Sequence, residues 1–252
     1  MFPGKWMASR AGDLATSLRF LTRLPMPLAS TGGELARTAW AWPIAGIVVG
    51  LIGAVVYAVA LKTGLPGMLA APLAVAATLV TTGCLHEDGL ADAADGFGGG
   101  KTREQKLAIM RDSRIGTYGV CALVMSLLLR ILAIAYLDRP AAVALALVAA
   151  HGGARAAMAA VMYLLPPARE DGLSFGAGRP LLESVLASAA IGVVLLALCL
   201  GVGHAIVAIV LLCGIGAAFA WLSLRQIGGQ SGDVLGAVEQ VSEIAILLVA
   251  LH

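Results

Sequence analysis

Charged and aromatic residues are both scarce in this sequence. Asp, Glu, Lys and Arg make up 13% of the 252 residues, and Phe, Trp and Tyr make up 5%. A soluble domain carries about 25% charged residues, so an ordinary soluble fold is not expected. The formal net charge is only +2, and no basic stripe with interleaved aromatics occurs. Nucleic acid is therefore not an expected partner.

The four cysteines show no pattern typical of a metal site. They lie in or beside apolar stretches, and no CxxC or Cys/His spacing connects them. Without such spacing they are interpreted as free thiols, which behave as small apolar residues. They are Cys84, Cys121, Cys199 and Cys213.

Hydrophobic residues are abundant, at 60% of the chain with a mean hydropathy of +0.91, and they are collected in seven runs. Each run is close to the roughly 20 residues that a helix needs to cross a bilayer. We therefore predict an all-α polytopic membrane protein of about seven transmembrane helices, with residues 1–252 forming a single integral membrane domain. Only residues 201–203 separate the fifth and sixth runs, which form either a tight hairpin or one broken helix. The runs are 40–61, 66–85, 116–137, 141–165, 184–202, 204–224 and 234–251.

Residues 1–38 precede the first run and are predicted to lie in the cytoplasm or at its membrane interface. Within 12–24, three leucines (14, 18 and 21) share one face, as in an interfacial helix, and Pro25 and Pro27 would end it. With the seven spans above, thirteen basic residues lie on one side of the membrane and two on the other. Because basic residues favour the cytoplasmic side, the N-terminus and the polar loop 86–115 are predicted to be cytoplasmic.

The polar stretch 83–119 carries the densest group of acids in the chain. If 88–95 is helical, Asp88, Asp92 and Asp95 fall on one face. Like charges on one face repel each other, and a Mg²⁺ ion held by carboxylate oxygens would offset that repulsion. We therefore predict Asp88, Asp92 and Asp95 as metal ligands, with Asp112 as a further candidate.

The rest of this stretch has features that suit an anion. Gly98 and Gly99 let backbone N–H groups approach an anion closely, and Lys101 adds a positive charge. A short amphipathic helix is predicted at 102–110, with Thr102 as its cap.

Arg111 and Arg114 flank Asp112 at the start of the third run. Two arginines beside an acid at the membrane surface suit a diphosphate, because arginine forms paired contacts to phosphate oxygens while the acid binds a metal. This is the expected substrate side of the loop.

Three further polar elements lie along the chain. His151 and Arg155 share a helix face in the fourth run, where a charged residue is costly and faces a polar cavity or a carboxylate. Arg169 belongs to the charged segment 168–173. Before the seventh run, Gly228, Gly229 and Gly232 offer backbone donors at a helix N-terminus, and Ser231 and Asp233 lie in the same segment. Within that run Glu239 and Glu243 are i,i+4 neighbours that need a metal, protons or arginine partners. All of these elements are predicted to form one site.

Together these motifs resemble the cobalamin synthase family, the adenosylcobinamide-GDP ribazoletransferases or cobalamin-5′-phosphate synthases. The resemblance extends over nearly the whole chain. Two departures are mild, since Glu87 stands where the family often has an apolar residue and Ser231 where threonine is common. The motifs are LRFLTRLPMP at 18–27, HEDGLADAADGFGGG at 86–100, IMRDSRIGTYG at 109–119, AREDGL at 168–173 and GGQSGDVLGA at 228–237.

The resemblance implies a Mg²⁺-dependent enzyme of the bacterial inner membrane. Such an enzyme joins α-ribazole, or α-ribazole 5′-phosphate, to adenosylcobinamide-GDP and releases GMP. Membrane lipid is the expected surrounding, and the oligomeric state stays open, a homo-oligomer included.

Phosphoryl transfer of this kind depends on positioning and charge neutralisation, which leads to one hypothesis for each candidate residue. Metal binding is assigned to Asp88, Asp92, Asp95 and Asp112. Stabilisation of the leaving phosphate is assigned to Arg111, Arg114 and Arg155, and orientation of the attacking hydroxyl to Asp95 or Asp233. Substrate binding is assigned to Gly98, Gly99, Lys101, His151, Arg169, Gly229 and Ser231.

Three alternatives share part of this pattern. Lipid-forming phosphotransferases that use CDP-alcohols also place spaced aspartates near a D-G-x-x-A run, but here Asp92 follows 88–91 in place of arginine. Prenyltransferases share the metal–diphosphate logic, with attack at carbon. An ion-coupled transporter could use Arg155, Glu239 and Glu243 as an ion path.

Overall fold

The computed structural model describes residues 3–26 and 35–252, with side chains from residue 10 onward. In these residues the chain forms eleven α-helices and one 3-10 helix, and no strand is assigned. The helices are α1 (Pro3–Leu21), the 3-10 helix (Leu35–Ala41), α2 (Trp42–Lys62), α3 (Gly67–Thr82), α4 (Leu85–Gly99), α5 (Arg103–Ile109), α6 (Thr117–Leu137), α7 (Pro140–Leu164), α8 (Leu173–Ala177), α9 (Leu182–Leu200), α10 (Val202–Ile227) and α11 (Gly232–Val249).

Five of the described helices are long and apolar enough to cross a membrane: α2 together with the 3-10 helix before it, α6, α7, α9 and α10. The pair α3 and α4 would make a sixth only as one broken span. In contrast, α11 carries three acids and is mostly buried. The all-α polytopic fold is thus confirmed, while length and composition support five or six spans in place of the seven that we predicted.

The fifth and sixth apolar runs are separate helices, α9 and α10, each long enough to span. Gly201 joins them with a φ of +81°, a conformation that favours glycine. Leu200 and His204 lie together with Leu137 at one end of the bundle. At the other end, Ser184 donates to the carbonyl of Arg37. The two helices therefore form a tight hairpin.

Helices α2 and α7 form the most closely packed pair of the bundle. A Cβ atom on Gly50 would lie 2.6 Å from the Leu147 carbonyl oxygen, and one on Gly46 would also meet the α7 backbone. In lipid, helix association depends on such close packing of small residues. Tyr57 and Leu147 are buried in the core that these helices share with α3, α6 and α11.

The predicted polar loop 86–115 is largely helical and packed against the bundle. Gly83 and Cys84 both adopt left-handed conformations, and the chain turns there by 89° between α3 and α4. Helix α4 therefore runs nearly perpendicular to α3 and packs against α11 and α6. Gly89 lets it approach α11, since a Cβ there would lie 3.0 Å from the Asp233 carbonyl oxygen.

Helix α5 confirms the short helix predicted after Thr102. The Thr102 side chain accepts from the Gln105 N–H and forms a capping box with it, a motif that satisfies two otherwise unpaired donors. Lys106 then donates to the carbonyls of Phe97 and Gly100. These contacts hold α5 against the end of α4.

The N-terminal helix α1 is longer than predicted and ends at Leu21, before Pro25; Pro27 lies outside the described residues. Leu18 and Leu21 are buried in a cluster that contains Trp42. Ser17 also donates to the Thr38 hydroxyl. The apolar face of α1 thus packs against the rest of the protein. This packing is stronger evidence for the position of α1 than the leucine pattern from which we predicted a helix at the membrane surface.

Overpacking of the α2–α7 contact should destabilise the bundle. For Gly50→Ala we expect a loss of about 1–3 kcal/mol in the free energy of unfolding, because the new methyl group meets backbone that cannot move away. Unfolding of the purified protein in detergent measures it. Gly214→Ala on α10 is the matched control, since open space surrounds that position. Equal effects of the two changes would contradict the assigned contact.

Candidate active site

Three carboxylates meet where α4 packs on the N-terminus of α11. Asp88 and Asp92 are one helical turn apart on α4, and the close approach at Gly89 brings Asp233 beside them. Asp88 and Asp233 line one cavity together with Arg169. We call Asp88, Asp92 and Asp233 the carboxylate group.

The carboxylate group is electrostatically unbalanced. Burial, followed by the charges of Asp88, Asp233 and Asp95, raises the pKa of Asp92 to about 7 against the opposing charge of Arg169. Burial also raises the pKa of Asp233. Repelling carboxylates in a desolvated place favour a bound cation or protons, and their oxygens are the ligands that Mg²⁺ prefers.

A contact between two loops positions Arg169 opposite Asp233. The Ala168 N–H donates to the Gln230 carbonyl at 2.7 Å, and the Gln230 N–H donates to the Pro166 carbonyl at 2.8 Å. A Cβ on Gly229 would lie 3.0 Å from the Ala168 nitrogen and closer still to the Pro166 carbonyl. This glycine is therefore needed for backbone packing between the two loops, and its predicted substrate-binding role stays a prediction.

Arg103, which we did not select from the sequence, joins the same loops to α5. Its Nε donates to the Ile227 carbonyl at 2.8 Å, and its Nη2 donates to the Ala168 carbonyl at 2.6 Å. In the sequence, an arginine in a polar stretch looks the same whether it joins two loops or binds substrate, so the sequence alone did not predict the structural role of Arg103.

Asp233 is held in place from two sides. Arg169 Nη2 lies 3.4 Å from its Oδ2, and the Ser231 hydroxyl donates to the same oxygen at 3.1 Å. Ser231 also caps α11 by accepting from the Val234 N–H. Ser231 was predicted to bind substrate, but it is fully buried and instead orients Asp233.

Asp95 does not join the carboxylate group through its oxygens. Its Oδ2 accepts from the Gly116 N–H at 2.7 Å and its Oδ1 accepts from the Gly119 N–H at 2.9 Å. A buried carboxylate at a helix N-terminus satisfies unpaired donors and the helix dipole. Asp95 therefore fastens α4 to the start of α6, and the metal-binding and catalytic roles predicted for it stay predictions.

Asp112 and Arg114 form an ion pair with each other at the surface, 2.6 Å apart, and the Arg114 side chain is 87% exposed. The structure therefore does not bring the predicted metal ligand Asp112, or the predicted catalytic Arg114, to the carboxylate group. Arg111 lies closer, since it pairs with Asp171 and its charge opposes the raised pKa of Asp233.

The glycines after α4 serve packing and do not form an open anion site. A Cβ on Gly98 would lie 2.7 Å from the Tyr118 ring, and one on Gly99 would lie 3.4 Å from Ile109. Lys101 is exposed, and its N–H donates to Gln105. The substrate contacts predicted for Gly98, Gly99 and Lys101 are therefore not seen at the carboxylate group.

His151 and Arg155 are buried inside the bundle, and their predicted contacts with substrate stay predictions. Arg155 Nη1 is 2.6 Å from Glu239 Oε1, and both side chains are fully buried. His151 Nδ1 is 3.3 Å from Glu243 Oε2. An arginine inside a membrane bundle needs such a carboxylate, and α11 supplies it.

Arg130 on α6 extends these contacts to α4. Its Nη1 lies 2.8 Å from Glu87 Oε1 and its Nε lies 2.8 Å from Glu243 Oε1. Gln240 donates to Glu87 as well. Glu87, whose role the sequence left unassigned, is therefore the partner of Arg130. The core ion-pair network comprises His86, Glu87, Arg130, His151, Arg155, Glu239, Gln240 and Glu243.

Within the described residues, His151, Glu239 and Glu243 are the group whose ligand atoms all lie within 4.8 Å of one another. Arg130 and Arg155 already face these two glutamates. Because each carboxylate has a guanidinium partner, this trio is better explained as a set of buried ion pairs than as a metal site.

The sequence model of the cobalamin-5-phosphate synthase family matches residues 13–251. This chain belongs to that family. A protein of Mesorhizobium japonicum named adenosylcobinamide-GDP ribazoletransferase is 56% identical over 239 residues, which cover 94% of this chain and 92% of the relative. A protein of Bradyrhizobium diazoefficiens with the same name is 53% identical over 253 residues, covering 99% and 97%. No solved structure matches this chain.

Removal of one guanidinium from the core ion-pair network should cost more than removal of a surface one. For Arg130→Met we expect a loss of about 3–5 kcal/mol in unfolding free energy, because Glu87 and Glu243 are left buried without their partner. Thermal or denaturant unfolding in detergent measures it, with the exposed Arg139→Met as control. Adding Glu87→Gln should restore part of the stability. No recovery in the double variant would argue against the pair.

Asp95→Asn separates a capping role from a catalytic one. We expect a loss of about 0.5–2 kcal/mol in stability, since the neutral amide serves the α6 N-terminus less well, while turnover of the folded protein stays within a few-fold of the parent. Paired measurements of unfolding and initial rate decide the question. Full stability with abolished turnover would return Asp95 to the chemistry.

Proposed function

We propose that this chain is an adenosylcobinamide-GDP ribazoletransferase, which joins α-ribazole or its 5′-phosphate to adenosylcobinamide-GDP and releases GMP. The observation that carries the proposal is the carboxylate group with Arg169 at a cavity on one end of the bundle. Identity of 56% over 94% of the chain to a relative with that name supports the same activity.

The reaction exchanges one phosphorus–oxygen bond for another. The attacking ribazole hydroxyl forms a bond to the cobinamide-side phosphorus, and the bond from that phosphorus to the bridging oxygen breaks. GMP leaves with the bridging oxygen, and the hydroxyl proton must be accepted. The protein therefore has to neutralise a diphosphate, align the hydroxyl and take up one proton.

The carboxylate group fits a Mg²⁺ ion. Its three members offer hard oxygen ligands. The pKa of Asp92 is raised first by burial and then by the charges of its acidic neighbours, and a divalent cation would offset both effects. We place Asp88 and Asp92 as ligands, with Asp233 at the edge of the site. Such an ion would supply charge neutralisation to the diphosphate.

Arg169 and Asp233 have complementary roles in this proposal. Arg169 faces the cavity and can bind phosphate oxygens through its planar guanidinium, with Arg111 extending the basic rim through Asp171. Burial raises the pKa of Asp233, and a carboxylate with a raised pKa is the better proton acceptor at neutral pH. We therefore assign Asp233 to the attacking hydroxyl.

We place the protein in the bacterial inner membrane, with the carboxylate group on the cytoplasmic side. Most basic residues of the chain fall in the segments at that end of the bundle, as the positive-inside rule requires. Membrane lipid would cover the exposed apolar faces of α6, α9 and α10, where Leu198 is 76% exposed.

The decisive measurement is GMP release from detergent-purified protein supplied with adenosylcobinamide-GDP and α-ribazole 5′-phosphate. We expect GMP and a new corrinoid product only with both substrates and Mg²⁺, and a loss of activity with EDTA. Asp92→Asn should lower turnover about 100-fold or more, because charge neutralisation at the reacting phosphate is lost.

Glu104→Gln is the matched control, since Glu104 is exposed on α5 near the same end of the bundle, and its turnover should equal the parent's. Folded protein that releases no GMP, or an Asp92→Asn variant with unchanged turnover and Mg²⁺ dependence, would refute the proposal. CDP-alcohol substrates then become the next test.

A further inference from the structure

The cavity beside the carboxylate group has an apolar wall that the chemistry above does not use. Asp88, Arg169 and Asp233 lie at its polar side, while helices α1, α2, α7 and α8 contribute large apolar side chains. These include Phe20, Trp42, Met158, Met162 and Ala177. Its volume is about 130 Å³, and apolar protein cavities of about 150 Å³ bind a benzene molecule.

Two buried polar atoms of cavity-lining residues have no hydrogen-bond partner among the described residues. They are Nε1 of Trp42 and Nε2 of His86, and both residues are at least 97% buried at exposures of 2% and 3%. Buried donors are nearly always paired in native proteins. The indole N–H of Trp42 is thus an unused donor on a residue of the cavity wall.

We propose that this cavity binds the base of α-ribazole, an inference that rests on the function proposed above. The base is a dimethylbenzimidazole, which is flat and apolar, carries a single acceptor nitrogen once joined to ribose, and has no N–H donor. The apolar side chains contact its ring faces and methyl groups, and the Trp42 N–H is the donor for its ring nitrogen. The attached ribose then lies toward Asp88 and Asp233.

The guanine base and the corrin ring of the other substrate do not suit this cavity. Guanine has several donors and acceptors on its edges, and against an apolar wall they would lose their hydrogen bonds at considerable cost. A corrin ring is far larger than a cavity of about 130 Å³. A base in the cavity also fixes the ribose hydroxyl beside Asp233, where the proposed proton transfer occurs.

Reducing the cavity tests the proposal directly. Ala177 is buried in the wall, and Ala177→Leu should raise the KM for α-ribazole about tenfold or more, since a pocket rejects one excess methylene by such factors. The KM for adenosylcobinamide-GDP should stay within about twofold of the parent. Ribosides of unmethylated benzimidazole or imidazole, which have smaller bases, should recover activity in the variant.

Gly176→Leu provides the matched control on the same short helix, because open space surrounds Gly176. It should leave both KM values unchanged. Thermal unfolding of each variant shows whether it is folded.

Trp42→Phe tests the donor and keeps an aromatic ring in the wall. The parent should prefer the benzimidazole riboside over the indole riboside, which lacks the acceptor nitrogen. In Trp42→Phe this preference should fall about fivefold, because one hydrogen bond is lost. The variant adds no bulk, so it remains informative if Ala177→Leu does not fold.

The outcomes separate this inference from the proposed function. A parent protein that makes no corrinoid product contradicts the function itself. An active parent whose Ala177→Leu variant raises the KM for adenosylcobinamide-GDP instead assigns the cavity to the other substrate and overturns the inference. An unchanged base preference in both variants overturns it as well.

Discussion

The structure depends on buried ion pairs between α11 and three other helices. Arg130 of α6 and Arg155 of α7 lie in the bundle, where no water can solvate a guanidinium, so each must meet a carboxylate. Glu239 and Glu243 supply these partners, at 2.6 Å and 2.8 Å. Because the contacts are directional, they fix the rotation of α11 about its axis, which non-directional packing of alanine and leucine would leave less defined.

The same pairs determine where the reactive carboxylates stand. Glu87 ties α4 to Arg130, and one residue further along α4 is Asp88, at the cavity. On α11, the turn that carries Glu239 follows the turn that begins at Asp233. Helices α4 and α11 therefore each place two acids in different surroundings. Glu87 and Glu239 pair with arginine in the core, while Asp88 and Asp233 face the cavity at the end of the bundle.

This division explains which acids are candidates for a metal. In the core ion-pair network each glutamate has a guanidinium within ion-pair distance, and a cation would have to displace or outweigh it. In the carboxylate group three acids face Arg169, with the charge of Arg111 also acting on Asp233, and the pKa of Asp92 is raised to about 7. The excess of acidic over basic side chains, more than the number of acids itself, indicates where a divalent ion would bind.

The sequence predicted the parts of this arrangement that depend on local spacing. The i,i+4 relation of Asp88 and Asp92, the Thr102 cap and the need of Arg155 for a partner follow from helix geometry and desolvation alone. The identity of that partner did not follow, because Glu239 is 84 residues away along the chain. Tertiary packing determines which residues pair when they are far apart along the chain, and this packing could not be predicted from the single sequence.

Glycine was the least informative signal, for a physical reason. A glycine permits close approach of any group. At Gly98 that group is the ring of Tyr118, and at Gly229 it is the backbone of residues 166–168; neither is an anion. The absence of a Cβ indicates that some group lies close to the glycine, but it does not indicate which group. Acidic and basic residues constrain their surroundings more narrowly, since a buried charge requires a partner of opposite sign.

His86 lies between the cavity of the carboxylate group and the core ion-pair network. It lines the cavity, and its Nδ1 lies 3.6 Å from Glu239 Oε2 in the network. An ion path along Arg155, Glu239 and Glu243 would need an opening to water, but these three side chains are at most 1% exposed. The network is therefore closed to water, and His86 connects it to the cavity. Any ligand that binds the folded state alone must stabilise it by mass action, so occupancy of the cavity and the integrity of the membrane bundle are thermodynamically linked.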